Sequence, residues 1–482
     1  MFGSITADML VAILPEIALL VVVLVVFVTE LLLPERRRGA LAWITAGGLG
    51  LTLALTVLFA RPGAEGELLW GGMLRHDWLA FIFKIIFLVS ALITTLLSVG
   101  WEAVWRKGEY YVLLLTSTLG MTLMAASGDL IMLFLAIETT SIPLYIMAGF
   151  ITGDDKSTES GFKYLLFGAV TTGVMLYGLS LLYGFAGTTN LYDMAAGLAA
   201  AQIPGPVLVG TLFLILLGFG FKVALVPLHF WAPDVYEGAP TPVTAFLSTA
   251  SKAAGFAVLT RVMLAAFPSI LADWQAIVAV AAALSMTLGN VVALTQRNIK
   301  RLLAYSSIAH AGYALLGVAA ASELGVISVV YYFLAYTATQ LAAFAVVIIV
   351  WHKVGSDEID DYAGLSRRSP LLALAMLLSF LSLAGVPPLG GFIAKILVFA
   401  AAVDAGLVWL AFLGVLNSIV GLYYYLIVLK VVYLSPPKDE KPVPVMRTHG
   451  AALLVSVLLV LVLGIVLAPW YAWAQASAAS LF

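Results

Sequence analysis

The chain of 482 residues is 63% hydrophobic and only 10% charged, against a soluble average of roughly half apolar and a quarter charged, which excludes a water-soluble globular protein. Its 24 Lys and Arg against 26 Asp and Glu give a net charge of −2 and no basic field for nucleic acid. With no cysteine, disulfides, zinc thiolate sites and cysteine-ligated iron–sulfur clusters are excluded, and redox chemistry belongs to a partner.

Fourteen apolar runs, each on the scale of one bilayer crossing of about 20 residues, begin near Leu10, Ala40, Trp78, Tyr110, Asp129, Gly161, Pro206, Val243, Trp274, Ile299, Gly325, Pro370, Gly406 and Gly450. Runs this long cross as helices, not strands. Span 1 is not a cleaved leader: it lacks a basic start, carries Glu16, and is followed by the stop-transfer flank Pro34-Glu35-Arg36-Arg37-Arg38. Loops after odd-numbered spans hold sixteen basic residues, whereas loops after even-numbered spans hold Arg61, Arg75 and Arg261. Positive-inside bias therefore predicts cytoplasmic odd loops and both termini outside.

Five basic residues remain inside apolar runs, Lys84, Lys163, Lys222, Lys252 and Lys395, all of them lysine. An ammonium can lose its charge when desolvated, whereas a guanidinium effectively cannot. Lys84 and Lys163 lie near the starts of spans 3 and 6, where a lysine can snorkel to the interface. Lys222, Lys252 and Lys395 are deeper, and the one clearly deep acid is Glu138 in span 5. A charge at mid-membrane costs roughly 2.5–3.5 kcal/mol on insertion scales and marks function.

Span 7 is interrupted at Pro227, five residues after Lys222, and runs on into Pro233, Pro240 and Pro242. Span 12 is interrupted at Gly385-Val386-Pro387-Pro388-Leu389-Gly390-Gly391, just before Lys395. Pro227 and Pro388 are 161 residues apart, and Lys222 and Lys395 are 173 apart. These similar offsets predict two five-helix repeats, spans 4–8 and 9–13, the second inverted because each holds an odd number of spans. The expected fold is thus an all-α polytopic membrane protein of about 14 transmembrane helices with spans 7 and 12 broken. Its expected divisions are 1–109, 110–265, 274–434 and 435–482. Helix ends set a further expectation: Lys222 precedes its break, near partial negative charge, and Lys395 follows its break, near partial positive charge.

His310 stands within span 10 among Tyr305-Ser306-Ser307 and Ala311-Gly312-Tyr313, placed to relay protons. His229, just after the first break, is a weaker candidate. No phosphate-binding loop, dinucleotide fingerprint or zincin motif is present.

The run from Pro227-Leu228-His229-Phe230-Trp231-Ala232-Pro233-Asp234-Val235-Tyr236-Glu237-Gly238 to Ala239-Pro240-Thr241-Pro242-Val243, with Ser251-Lys252, closely resembles the N-subunit family of the proton-pumping NADH:quinone oxidoreductases, bacterial complex I. Ile308-Ala309-His310-Ala311-Gly312-Tyr313 and Gly385 through Lys395 carry the same likeness, which covers essentially the whole chain. The resemblance implies an antiporter-like fold in which Glu138 pairs with Lys222, Lys252 is the central lysine, Lys395 the distal one, and Lys163 is associated with the pair. M-type sisters typically carry glutamate where Lys395 stands, and L-type sisters carry a long C-terminal extension where this sequence ends at Phe482. Mrp-type cation/proton antiporter subunits read differently after span 7. The resemblance implies no cofactor on this chain, with NADH, flavin, iron–sulfur clusters and quinone on partner subunits. It implies M-type and small K-type membrane neighbours and a peripheral NADH-oxidising arm. The place is the bacterial inner membrane. On this reading protons pass from Lys222 through Lys252 and His310 to Lys395.

Overall fold

Five of the helix starts are written in single side chains. Asp77, Asp129, Asp154, Asn298 and Ser322 each accept a hydrogen bond from a backbone N–H of the following turn, satisfying donors that a helix start leaves without a partner. The computed structural model describes residues 6–481. The expected sidedness of the two chain ends falls in part on residues 1–5 and 482, which lie outside the described residues.

Leaving aside short surface and connecting helices at Ala7–Ala12, Met194–Ala201, Leu365–Arg368 and Leu467–Ala479, the helices in order are α1 (Leu14–Leu32), α2 (Ala40–Phe59), α3 (Trp78–Ser98), α4 (Gly108–Ala126), α5 (Leu130–Ala148) and α6 (Asp155–Ala186). Helix α7 is split into α7a (Gly205–Lys222) and α7b (Trp231–Gly238), and α8 runs Thr241–Ala266. Then come α9 (Pro268–Ala293), α10 (Ile299–Ala320) and α11 (Glu323–Val354). Helix α12 is split into α12a (Pro370–Ala384) and α12b (Gly390–Asp404), followed by α13 (Val408–Leu434) and α14 (Arg447–Ile465). Twelve of these pieces are long and apolar enough to cross a membrane alone. The other two crossings are α4, whose face is rich in Ser and Thr, and the split α12. The only sheet among the described residues is an antiparallel hairpin, β1 (Glu67–Leu69) with β2 (Leu74–His76), between α2 and α3.

Helices α8, α10 and α11 are buried almost all round, whereas α1, α2, α6 and α14 bury about a third of their surface positions. A helix apolar on every side with both surfaces covered belongs to the bundle interior. Small residues permit the tightest approaches: a Cβ at Gly120 of α4 would lie 2.5 Å from the Thr140 backbone nitrogen of α5, and one at Gly289 of α9 would lie 2.6 Å from that of Ala309 in α10. These contacts join the first two helices of each expected repeat. The third helices, α6 and α11, are both 32 residues long, or about 48 Å at 1.5 Å per residue, longer than the bilayer core. The fourth helices, α7 and α12, are the broken ones, and each break holds a cis peptide bond, Val226-Pro227 and Pro387-Pro388.

The backbone groups freed by the breaks find side-chain partners, as a chain without water around it requires. In α7, the Val226 N–H donates to Ser285 Oγ at 3.0 Å and the Phe221 carbonyl accepts from Trp231 Nε1 at 3.1 Å. In α12, the Gly391 N–H donates to Ser382 Oγ at 3.1 Å and the Ala384 carbonyl accepts from Lys395 Nζ at 3.0 Å.

Candidate proton-transfer site

Lys222 ends α7a, and its ammonium donates to Ser141 Oγ of α5 at 2.8 Å. Ser141 stands one helical turn from Glu138, so both groups face the end of α7a. The expected contact pair is not formed: Glu138 Oε1 is buried without a hydrogen-bond partner, and the serine hydroxyl takes the place the carboxylate was expected to hold. Glu138 acts on Lys222 through space.

Lys252 follows a π-helical turn at Leu247–Ser251, an irregularity frequent at functional sites. Its ammonium donates to the Ser307 carbonyl of α10 at 2.7 Å. The Ser307 hydroxyl in turn meets Tyr236 Oη of α7b at 3.2 Å and Tyr336 Oη of α11 at 2.9 Å. No carboxylate lies in contact with Lys252 among the described residues.

His310 is one turn from Ser307 on the same face of α10. Its Nδ1 lies 2.6 Å from Tyr332 Oη and its Nε2 3.4 Å from Tyr425 Oη, which continues to Ser306 Oγ at 2.5 Å. Beside it, His310, Tyr332, Tyr336, Thr339, Ser382 and Gly391 line a cavity of about 10 Å3, the scale of one water molecule with several polar partners. This space joins α10 and α11 to the two halves of α12.

Lys395 corrects the helix-end expectation. It does follow its break, but its side chain folds back so that the ammonium caps the carbonyl of Ala384, the last residue of α12a. It therefore sits at a negative helix end, as Lys222 does, and not at a positive one. The Tyr313 ring lies 4.6 Å from Nζ and adds a cation–π contact.

Lys163 is not brought to the Glu138–Lys222 group. It pairs with Glu159 on its own helix and with Asp234 of α7b at 2.5 Å. Asp234 also meets Arg301 at 2.9 Å, and Glu237 meets Arg301 at 2.8 Å and Lys156 at 2.8 Å. Lys156, Glu159, Asp234, Glu237 and Arg301 rim a polar cavity of about 210 Å3 beside Lys163. Burial works to raise the Asp234 carboxyl, but hydrogen bonds from Lys163 and Arg301 outweigh it and hold the group below its ordinary 3.8. Glu237 is held below 4.5 in the same way, burial being outweighed by Lys156 and Arg301. Tyr236, between these acids on α7b, points inward to Ser307, so this short helix links the rim to Lys252.

Two buried charge pairs lie elsewhere. Lys84 is not snorkelling: its ammonium is 2.9 Å from Glu16 of α1, and both side chains are buried. Arg261, assigned to a loop from the sequence, is buried in α8, so the intramembrane basic residues are not all lysine. Its guanidinium donates to both oxygens of Asp77 at 2.7 and 2.9 Å, to Tyr192 Oη and to the Ala125 carbonyl. A permanent cation next to an acid that caps α3 reads as a structural clamp. His229 is half-buried at the first break, its Nδ1 has no partner, and it makes no hydrogen bond to any of the lysines. Sequence reasoning also missed the tyrosine hydroxyls, since a tyrosine in an apolar run looks like packing until its Oη has a partner.

Residues 127–421 match the family model described as NADH:quinone oxidoreductase/Mrp antiporter, transmembrane. NADH-quinone oxidoreductase subunit N of Moorella thermoacetica is 46% identical over 455 residues, covering 94% of each chain. The subunit N of Heliobacterium modesticaldum is 44% identical, covering 93% of this chain and 94% of that one. A chain of respiratory complex I from Thermus thermophilus with bound aureothin superposes with a TM-score of 0.80 at 36% identity, covering 94% of this chain and 97% of that one. A chain of the Mrp complex of Dietzia shares the fold, with a TM-score of 0.86 at 21% identity over 99% of this chain. From the fold, the paired broken helices and these relatives, the chain belongs to the subunit N family of the NADH-quinone oxidoreductases.

Proposed function

We propose that this chain is the N subunit of a bacterial proton-pumping NADH:quinone oxidoreductase and moves protons along the row Lys222, Lys252, His310 and Lys395. The observation that carries the reading is that three buried ammonium groups each rest on a hydroxyl or a carbonyl, with no carboxylate in contact. A static structural lysine would be neutralised by an acid, as Lys84 is by Glu16. Groups resting on neutral dipoles can give up a proton without leaving a buried carboxylate behind.

Protons are taken up on the cytoplasmic side near Glu138 and Lys222, where the nearby carboxylate favours the charged lysine. They pass to Lys252, then through Ser307, the tyrosine hydroxyls and His310 to Lys395, and leave toward the outside. Lys163 belongs to the cytoplasmic rim with Asp234, Glu237 and Arg301, and supports α7b without carrying protons between lysines. The driving energy comes from NADH oxidation and quinone reduction on a peripheral arm, where NADH, flavin, iron–sulfur clusters and quinone reside. M-type and K-type membrane subunits flank the chain in the inner membrane, with its termini on the outer side.

The test is proton pumping and NADH:quinone turnover in membrane vesicles carrying Lys222→Ala, with assembly of the complex measured in parallel. Loss of both activities in an assembled complex is expected. Normal pumping and turnover would reduce the chain to a structural subunit.

A further inference from the structure

An apolar groove of about 520 Å3 runs between α12a and α14, on the outside of the bundle. One wall begins at Ser369 and ends at Leu378, and the other runs from Val445 to Val457. Leu371 and Leu454 on these walls are 81% and 59% exposed, so the groove opens outward to the bilayer and not into the bundle. From Ser369 to Leu378 its helical wall is about 14 Å long, close to half of the roughly 30 Å hydrocarbon core. That is the reach of one acyl chain in one leaflet. A helix of another subunit would need a furrow across the whole core, and α12a ends at Ala384.

The mouth of the groove is basic. Arg367 lies two residues before Ser369, and Arg447 lies one turn before the lining residue Gly450 on the same stripe of α14. Lys441 is tied to this point by two contacts: its carbonyl accepts from Arg368 Nε at 3.1 Å, and the Val443 N–H donates to Ser369 Oγ at 2.9 Å. Arg367, Lys441 and Arg447 are exposed, and none forms an ion pair among the described residues. Of the neighbouring acids, Asp439 already faces Lys353 at 3.7 Å and Arg368 at 3.9 Å, and Asp361 holds Lys438 at 2.7 Å. Glu440 is exposed beside Lys441 and leaves the mouth positive overall.

We propose that this groove binds an anionic phospholipid, with one acyl chain lying between α12a and α14 and the phosphate held by Arg367, Lys441 and Arg447. The apolar walls would accept any acyl chain, so the three cations set the preference for an anionic headgroup.

The experiment uses the whole complex in vesicles of four parts phosphatidylcholine to one part phosphatidylglycerol. A phosphatidylglycerol carrying a photoactivatable group on its acyl chain is added, and labelled peptides are mapped by mass spectrometry. Labelling is expected at residues 371–378 and 450–457, with the phosphatidylcholine analogue labelling there no more than elsewhere. Removing the three charges in R367Q/K441Q/R447Q should weaken labelling by about a hundredfold, since each basic group near a membrane surface contributes roughly a factor of five. The single variant Leu374→Trp, which fills the groove and leaves the cations in place, should also abolish it. Unchanged NADH turnover shows that both variants assemble. Equal labelling by phosphatidylcholine, labelling unaffected by the triple variant, displacement by inorganic phosphate, or labelling of a neighbouring subunit with none here would each overturn the proposal.

Discussion

Removing one partner of a buried ion pair leaves an uncompensated charge, which costs about 3–5 kcal/mol. Arg261 and Asp77 are that case, with side chains 1% and 0% exposed at 2.7 Å. Asp77→Ala is therefore expected to lower the resistance of the subunit to detergent denaturation by about that much, and the double change D77L/R261M to recover most of it. If Asp77→Ala denatured like the parent, the clamp would carry no weight. The pair also marks the limit of reading the sequence. Arg261 stands in Val258-Leu259-Thr260-Arg261-Val262, late in an apolar run, and a count of charged breaks places it in a loop. Its partner is 184 residues away, so no local pattern could reveal that the charge is matched. The lysines were legible for the opposite reason: Lys222, Lys252 and Lys395 stand alone in long apolar stretches, and their cost is visible without knowing a partner. What each of them touches was not legible, because Ser141, Ser307 and Ala384 reach them only through tertiary packing.

The breaks in α7 and α12 could be read from their prolines, but the use made of the freed carbonyls could not. At the second break Gly385 has φ +87°, and a Cβ there would lie 2.8 Å from Lys395 Cδ. Gly406 also has a positive φ, +76°, with nothing within 4 Å. Ala at either site bears the left-handed backbone penalty of roughly 1–2 kcal/mol, but only Gly385→Ala also pushes on the Lys395 side chain. Proton pumping in vesicles should fall well below the parent in Gly385→Ala and stay near it in Gly406→Ala; equal effects would show that only backbone strain matters. The short helix α7b makes a separate prediction. Asp234 and Glu237 are held below their ordinary 3.8 and 4.5. Groups depressed in the fold stabilise it fully above those ordinary values, and the gain is lost as the pH falls through the lowered ones. Hydrogen-exchange protection of residues 231–238, corrected for the intrinsic rate, should thus be flat above pH 4.5 and decline only below it. A decline near neutral pH would point to a different group.

Across the whole molecule, burial sorts the helices into an interior of α8, α10 and α11 and a lipid-facing ring that includes α1, α2, α6 and α14. Apolar runs predicted fourteen crossings but not this layering, since α11 is as apolar as the lipid-facing helices although it is as buried as the less apolar α8 and α10. What distinguishes the interior is its hydroxyls: Ser307, Tyr332 and Tyr336 are all buried and all paired. Lys252 and His310 lie near the middle of α8 and α10, and Lys222 and Lys395 each adjoin the break that splits their own helix. On the proposed path, with each broken helix counted as one crossing, the row runs along the midplane of the membrane and not across it. A charge crossing the full thickness does electrical work of about 2.3 kcal/mol per 100 mV, yet a proton passed from one member of this row to the next travels almost along an equipotential. On that proposed path nearly all of the voltage is met in uptake and release at the two surfaces, so a charged membrane holds back those steps while leaving the lateral ones untouched.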